Sequence, residues 1–101
     1  MSKRKWNRTH YFMNKASKNL RDHPVYVYGR SGKSRKYLMF THDPGLRQGY
    51  TKLKHNVDPE DNDDCYVNNR FKISHETSLK DPKKKYRIHK DDMETIKKYM
   101  K

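Results

Sequence analysis

His23-Pro24-Val25-Tyr26-Val27-Tyr28 opens the stretch that decides the fold, and it continues through Gly29-Arg30-Ser31-Gly32 to Lys36-Tyr37-Leu38-Met39-Phe40-Thr41. Val25 to Tyr28 are four strand formers in a row, and Pro24 suits the first position of a strand. In the second run Leu38 and Phe40 alternate with Tyr37, Met39 and Thr41, the period of a half-buried strand. Glycine and serine between the runs are turn chemistry. The stretch predicts an antiparallel hairpin with its turn over residues 29–32 and a basic tip at Arg30, Lys33, Arg35 and Lys36.

Downstream, Tyr50-Thr51-Lys52-Leu53, Cys65-Tyr66-Val67 and Arg70-Phe71-Lys72-Ile73 read as further short strands. Residues 58–64 and 80–85 are loops. Asp91 is placed to cap a final helix, with Glu94 three residues on in capping-box spacing. Met93, Ile96 and Met100 share one face of that helix. Several short strands and one amphipathic helix predict an α+β, mainly β domain over residues 24–101, a strongly bent antiparallel sheet or open barrel. Residues 1–23 lack clean periodicity and read as a basic N-terminal arm, with Trp6 or Tyr11 available for base stacking and Arg8 for phosphate contact.

The charge is lopsided. Twenty-five Lys and Arg stand against 12 Asp and Glu in 101 residues, a net +13. The excess is shared by residues 1–23, 24–57 and 65–101, and only residues 58–64 run the other way, with five acids and no base. A compact body charged in this way repels itself unless a polyanion neutralises it. Nucleic acid is the expected partner, RNA ahead of DNA, contacted by the hairpin tip, the arm and the Lys83-Lys84-Lys85 loop. Hydrophobic content is only 31%, which predicts a small core, and 12 aromatic residues supply much of its area. A single cysteine, Cys65, excludes an intramolecular disulfide and reads as a small buried hydrophobe. No apolar run approaches a membrane span, so a cytoplasmic setting without membrane contact is expected.

Some motifs fail on inspection. Gly29-Arg30-Ser31-Gly32-Lys33-Ser34 resembles a phosphate loop, but Val27 stands where the first glycine is required. Asp58, Glu60, Asn62 and Asp64 alternate as calcium-loop ligands do, but Asp63 replaces the obligatory glycine and Asn69 the closing glutamate. The six histidines show no short metal-ligand spacing, so no metal and no cofactor are expected. Phosphodiester cleavage needs a base, an acid and cations near the phosphate. His23, His42, Arg30, Arg35 and Thr41 fall near one another in the expected hairpin and offer those groups.

The order of elements resembles the PemK/MazF-type toxins. The resemblance rests on His23-Pro24-Val25-Tyr26-Val27, then Tyr37-Leu38-Met39-Phe40-Thr41-His42, and more loosely on Cys65-Tyr66-Val67, Arg70 and the Asp91 to Met100 segment. It implies an SH3-like barrel ending in a helix, and a metal-independent endoribonuclease. It also implies Thr41 and His23 as catalytic residues, although the family's catalytic arginine position is held here by His23, with Arg21 two residues earlier. Two function classes therefore stand beside nucleic-acid binding. One is that ribonuclease. The other is an interaction or inhibitor module, such as a phage or mobile-element factor, docking on an acidic protein partner. Sequence leaves the oligomeric state open.

Overall fold

The computed structural model describes residues 10–15 and 23–101. Trp6, Arg8 and Arg21 lie outside the described residues. The described residues form an antiparallel sheet of seven strands: β1 (Tyr11–Lys15), β2 (His23–Ser31), β3 (Ser34–Thr41), β4 (Tyr50–Lys52), β5 (Tyr66–Asn68), β6 (Lys72–His75) and β7 (Leu79–Lys80). A helix, α1 (Met93–Tyr99), ends it. Strand order is β4-β5-β3-β2-β1-β7, and β6 also pairs with β3. The mainly β, antiparallel architecture with one C-terminal helix is the expected one.

The hairpin forms as read, with two local corrections. Ser31 pairs with Ser34, so the turn is the two residues Gly32-Lys33, not residues 29–32. Gly32 takes φ +57° at the first turn position, the arrangement that a tight hairpin matching strand twist requires and that glycine adopts without strain. Gly29 and Arg30 belong to β2. Between Val27 and Gly29 the register shifts, leaving Tyr28 as the extra residue of a β-bulge, which sharpens the local twist.

The sheet also begins earlier than Pro24. Tyr11–Lys15, inside the stretch read as an arm, pairs along β2 from Tyr11↔Val27 to Lys15↔His23. The fifth expected strand is shifted from residues 70–73 to Lys72–His75. The expected loop over residues 80–85 starts one residue too early, because β7 pairs Leu79 and Lys80 with β1.

Chain connectivity forces the sheet to curl. β6 and β7 flank the β3-β2-β1 set and would sit about 19 Å apart if the sheet were flat, four spacings of about 4.8 Å. Only the 3-10 turn Glu76–Ser78 joins them, and the span from His75 to Leu79 reaches about 14 Å at most. The strands therefore wrap toward one face. Tyr11 and Met13 of β1 line one hollow with Arg35 of β3 and Glu76 and Thr77 of the turn. Inside the wrap Val25, Val27, Tyr37 and Leu79 are buried, with Tyr11, Met13 and Met39 around them.

The opposite face carries the larger core. Phe12, Tyr26, Tyr28, Leu38 and Phe40 alternate onto it from β1, β2 and β3. Leu53, Val57, Cys65, Val67 and Ile96 of α1 cover them. Ile96 is fully buried and Met100 packs against the same core.

The expected capping box does not form. A 3-10 turn, Lys90–Asp92, precedes α1, and the Asp91 backbone N–H donates to Nδ1 of His89 at 3.1 Å. Asp92 occupies the N-cap position without capping. Its buried carboxylate instead accepts the backbone N–H groups of Lys54 (2.8 Å) and His55 (2.9 Å), pinning residues 54–55 to the helix start. An adjacent acid thus takes a tertiary role in place of the local one. No helix among the described residues is long and apolar enough to cross a membrane.

Candidate nucleic-acid interface

Two hollows of opposite character lie on either side of residues 82–89. The first, of about 510 Å³, is lined by Phe12, Tyr26 and Tyr86 and rimmed by His10, Lys83, Lys84 and Arg87. The second, of about 760 Å³, is lined by Asp58, Asp61, Asp63 and Asp64 together with His55 and His89. Lys52, Lys54 and Arg87 also line the second hollow, so the two differ chiefly in its four carboxylates, which disfavour phosphate there.

The aromatic cleft is built by the sheet. Phe12 and Tyr26 are register partners on β1 and β2, so their side chains project to one face with ring centroids 4.9 Å apart. Tyr86 meets Phe12 edge-on at 6.0 Å, and His10 tilts against Tyr26 at 5.6 Å. Residues 83–86 are held over this face because the Lys83 N–H donates to the Phe12 carbonyl at 2.8 Å, and the Tyr86 N–H to the Lys83 carbonyl at 3.1 Å. The Lys83 ammonium lies 5.9 Å from the Tyr86 ring centre. Burial pushes the phenol pKa of Tyr26 up. Burial likewise raises that of Tyr86, and the carboxylate of Asp58 raises it further. Both phenols stay neutral in the physiological range; Phe12 and Tyr26 form the buried floor of the cleft, and Tyr86 is its partly exposed ring beside the cations. That combination suits a stacked base with its phosphates at the rim.

The basic residues expected from sequence divide into several groups. Lys83 and Lys84 line the cleft, whereas Lys85 is exposed beside it. At the hairpin tip Arg30 and Lys33 are exposed. Arg35 is held internally: its guanidinium pairs with Glu76 at 2.6 Å and donates to the carbonyls of Gly32 and Ser34. The reason is electrostatic, since Arg35 stands directly across the ladder from Arg30 and like charges so placed repel. Lys36 lies over the ring of Phe71 at 4.3 Å and nearer the core than the tip. Trp6 and Arg8 lie outside the described residues.

Thr41 and His23 end adjacent strands, but the paired ladder stops at Val25↔Met39. Thr41 is buried, and its hydroxyl sits 3.4–3.5 Å from the backbone N and O of Asp43, within the loop that follows β3. Next to them Pro24 and His42 border a small hollow of about 120 Å³ whose other walls include Asp58, Asp61 and Asp64. Three carboxylates beside this corner oppose the approach of a phosphate.

Side chains of the acidic stretch serve its own backbone, although of the alternating residues only Asp58 takes part. Asn56 accepts the N–H of Asp58, Asp58 that of Glu60, and Asp61 that of Asp63, each two residues on. These are successive Asx turns, in which the side chains serve the loop's own backbone. Cys65 is buried beneath the loop, and burial pushes its thiol up to about 11, in keeping with the hydrophobic role read from sequence. Sequence reasoning missed His10 and Arg87 at the cleft, and it missed the cleft itself. The available signal was Tyr86 directly after three lysines. Comparison of the chain with protein-family models, curated proteins and solved structures gives no significant match, so the site is read from its own geometry.

Proposed function

We propose that this chain binds single-stranded nucleic acid, RNA ahead of DNA, in the cleft formed by Phe12, Tyr26 and Tyr86. The observation that carries the reading is the convergence of three rings from three segments on one hollow rimmed by Lys83, Lys84 and Arg87. Its volume, about 510 Å³, falls in the range of roughly 300–1,000 Å³ typical of small-ligand clefts. A base stacks in the hollow, and the backbone runs over the lysines toward the exposed Arg30 and Lys33. The curled sheet, with a 3-10 turn between its last two strands, supports an open SH3-like barrel as the scaffold.

The ribonuclease reading draws less support, because the Thr41 and His23 corner adjoins carboxylates in place of a cationic phosphate site. Docking on an acidic protein partner is the rival that the binding experiment separates. Fluorescence anisotropy with a labelled 12-mer RNA provides the test, over a range of salt. For a single strand log K falls by about 0.7 per phosphate contact per decade of salt. Replacing Lys83 and Lys84 with Ala should flatten that slope by about 1.4. Tyr86→Leu should cost about 1–3 kcal/mol, the worth of one stacked base, and leave the slope unchanged. Affinity that ignores salt, or a double lysine variant with the parental slope, overturns the reading.

A further inference from the structure

We propose that His55, His89 and Asp91 form a binding site for a divalent d-block cation, of which Zn²⁺ is the type. This inference stands on the acidic side of the molecule and does not depend on the nucleic-acid reading. His55 is remote in sequence from His89 and Asp91, which stand two residues apart, yet each of the three offers a ligand atom within 4.8 Å of the other two.

Two distances within the cluster are close to those of a metal site. Nε2 of His55 lies 3.1 Å from Oδ2 of Asp91, and Nδ1 of His89 lies 3.5 Å from the same oxygen. With zinc–nitrogen and zinc–oxygen bonds of about 2.0–2.1 Å, the edge of a tetrahedron is about 3.3–3.4 Å. The two distances bracket that edge. The imidazole rings stack 3.7 Å apart and only 22° from parallel, so their in-plane lone pairs do not yet converge and one ring must turn substantially to splay around an ion. All three side chains are 41–47% exposed, so the ion has a path in and a water has room at a fourth position.

The cluster is held by tertiary structure. Asp92 fixes the backbone of residues 54–55 against the helix start through two hydrogen bonds, which delivers His55 to Asp91. Asp58, Asp61, Asp63 and Asp64 line the hollow that His55 and His89 share, and add a long-range attraction for cations. Lys52, Lys54 and Arg87 line the same hollow and oppose it, and Lys52 pairs with Asp64 at 3.5 Å. Two imidazoles and one carboxylate select zinc, cobalt or nickel over magnesium and calcium, which take oxygen ligands. Binding at Nδ1 of His89 displaces the Asp91 N–H that this nitrogen now accepts, and ligation requires both imidazoles to be neutral at the bonding nitrogen. The ion would tie the loop at residue 55 to the start of α1.

Isothermal titration of the tag-free, EDTA-stripped full chain with Zn²⁺ tests this directly. One equivalent should bind in a saturable step, with Mg²⁺ giving no heat of binding. His55→Ala and His89→Ala should each weaken binding at least about tenfold. Melting temperature should rise by on the order of 10 °C at a hundredfold excess over Kd. Independently of any variant, ¹⁵N imidazole spectra of the wild type should show His55 and His89 shifting on zinc addition, with His10, His23, His42 and His75 unmoved. Absence of saturable binding, binding that both substitutions leave intact, or shifts confined to the other histidines overturns the proposal.

Discussion

Replacing Asp92 with Ala should be among the most damaging single changes outside the apolar core. The side chain is 2% exposed, and its two oxygens accept backbone N–H groups at 2.8 and 2.9 Å. A hydrogen bond to a charged group contributes about 1.5–3 kcal/mol, so loss of both implies about 3–6 kcal/mol. The amides of Lys54 and His55 are only partly buried, and water recovers some of that. A loss of about 3 kcal/mol is therefore expected, a large share of the roughly 5–15 kcal/mol that stabilises a domain. In melting temperature it amounts to on the order of 15 °C. Asp92→Asn keeps the shape and one acceptor and should lose about half as much. Thermal unfolding by circular dichroism, with urea midpoints at matched slope, provides the assay. Asp91→Ala, at the exposed neighbour, should barely move the melting point in the absence of metal. Should Asp92→Ala melt within a few degrees of the wild type, the tertiary clamp between residues 54–55 and the helix does not hold the fold.

Other perturbations separate the parts of the account. Ile96→Asp places a carboxylate where exposure is 0% and should cost on the order of 3 kcal/mol or more, read as a lowered urea midpoint. Glu76→Ala leaves Arg35 facing Arg30 without its counter-ion. That change should cost about 1 kcal/mol in stability and steepen the RNA salt slope by up to about 0.7, measured by anisotropy. The thiol of Cys65 is raised above its ordinary value of 9.0 to about 11, so its stabilising contribution is complete below pH 9 and is lost as pH rises through about 11. Iodoacetamide at pH 8 should accordingly leave native Cys65 unmodified and label it on unfolding.

The parts of the fold visible in the sequence are those with a strong local period. Val25 to Tyr28 and Tyr37 to Thr41 alternate cleanly because each face of β2 and β3 meets apolar partners, and Ile96 and Met100 fall on one helical face for the same reason. β1 was obscured because Tyr11–Lys15 sends only Phe12 into full burial and sits among lysines and asparagine. β7 is two residues long, below any periodic signal. The bulge at Tyr28 comes from the register with β3, which no window on β2 contains. Asp91 and Asp92 are indistinguishable by local capping logic, and the choice between them is made by the amides of residues 54–55. The same holds for the sites. Lys83, Lys84 and Tyr86 are adjacent in sequence, but Phe12 and Tyr26 reach them only through the β1–β2 pairing. Likewise His55 and His89 carry no mutual spacing that marks them as neighbours.

The most direct test of the central claim is photocrosslinking of a short RNA carrying 4-thiouridine, followed by mass spectrometry of the crosslinked peptides. Crosslinks should map to Phe12, Tyr26 or Tyr86 and fall sharply in the Lys83→Ala, Lys84→Ala double variant. Crosslinks concentrated on residues 55–64, or the same yield from the double variant, would contradict the assignment of nucleic-acid binding to the aromatic cleft.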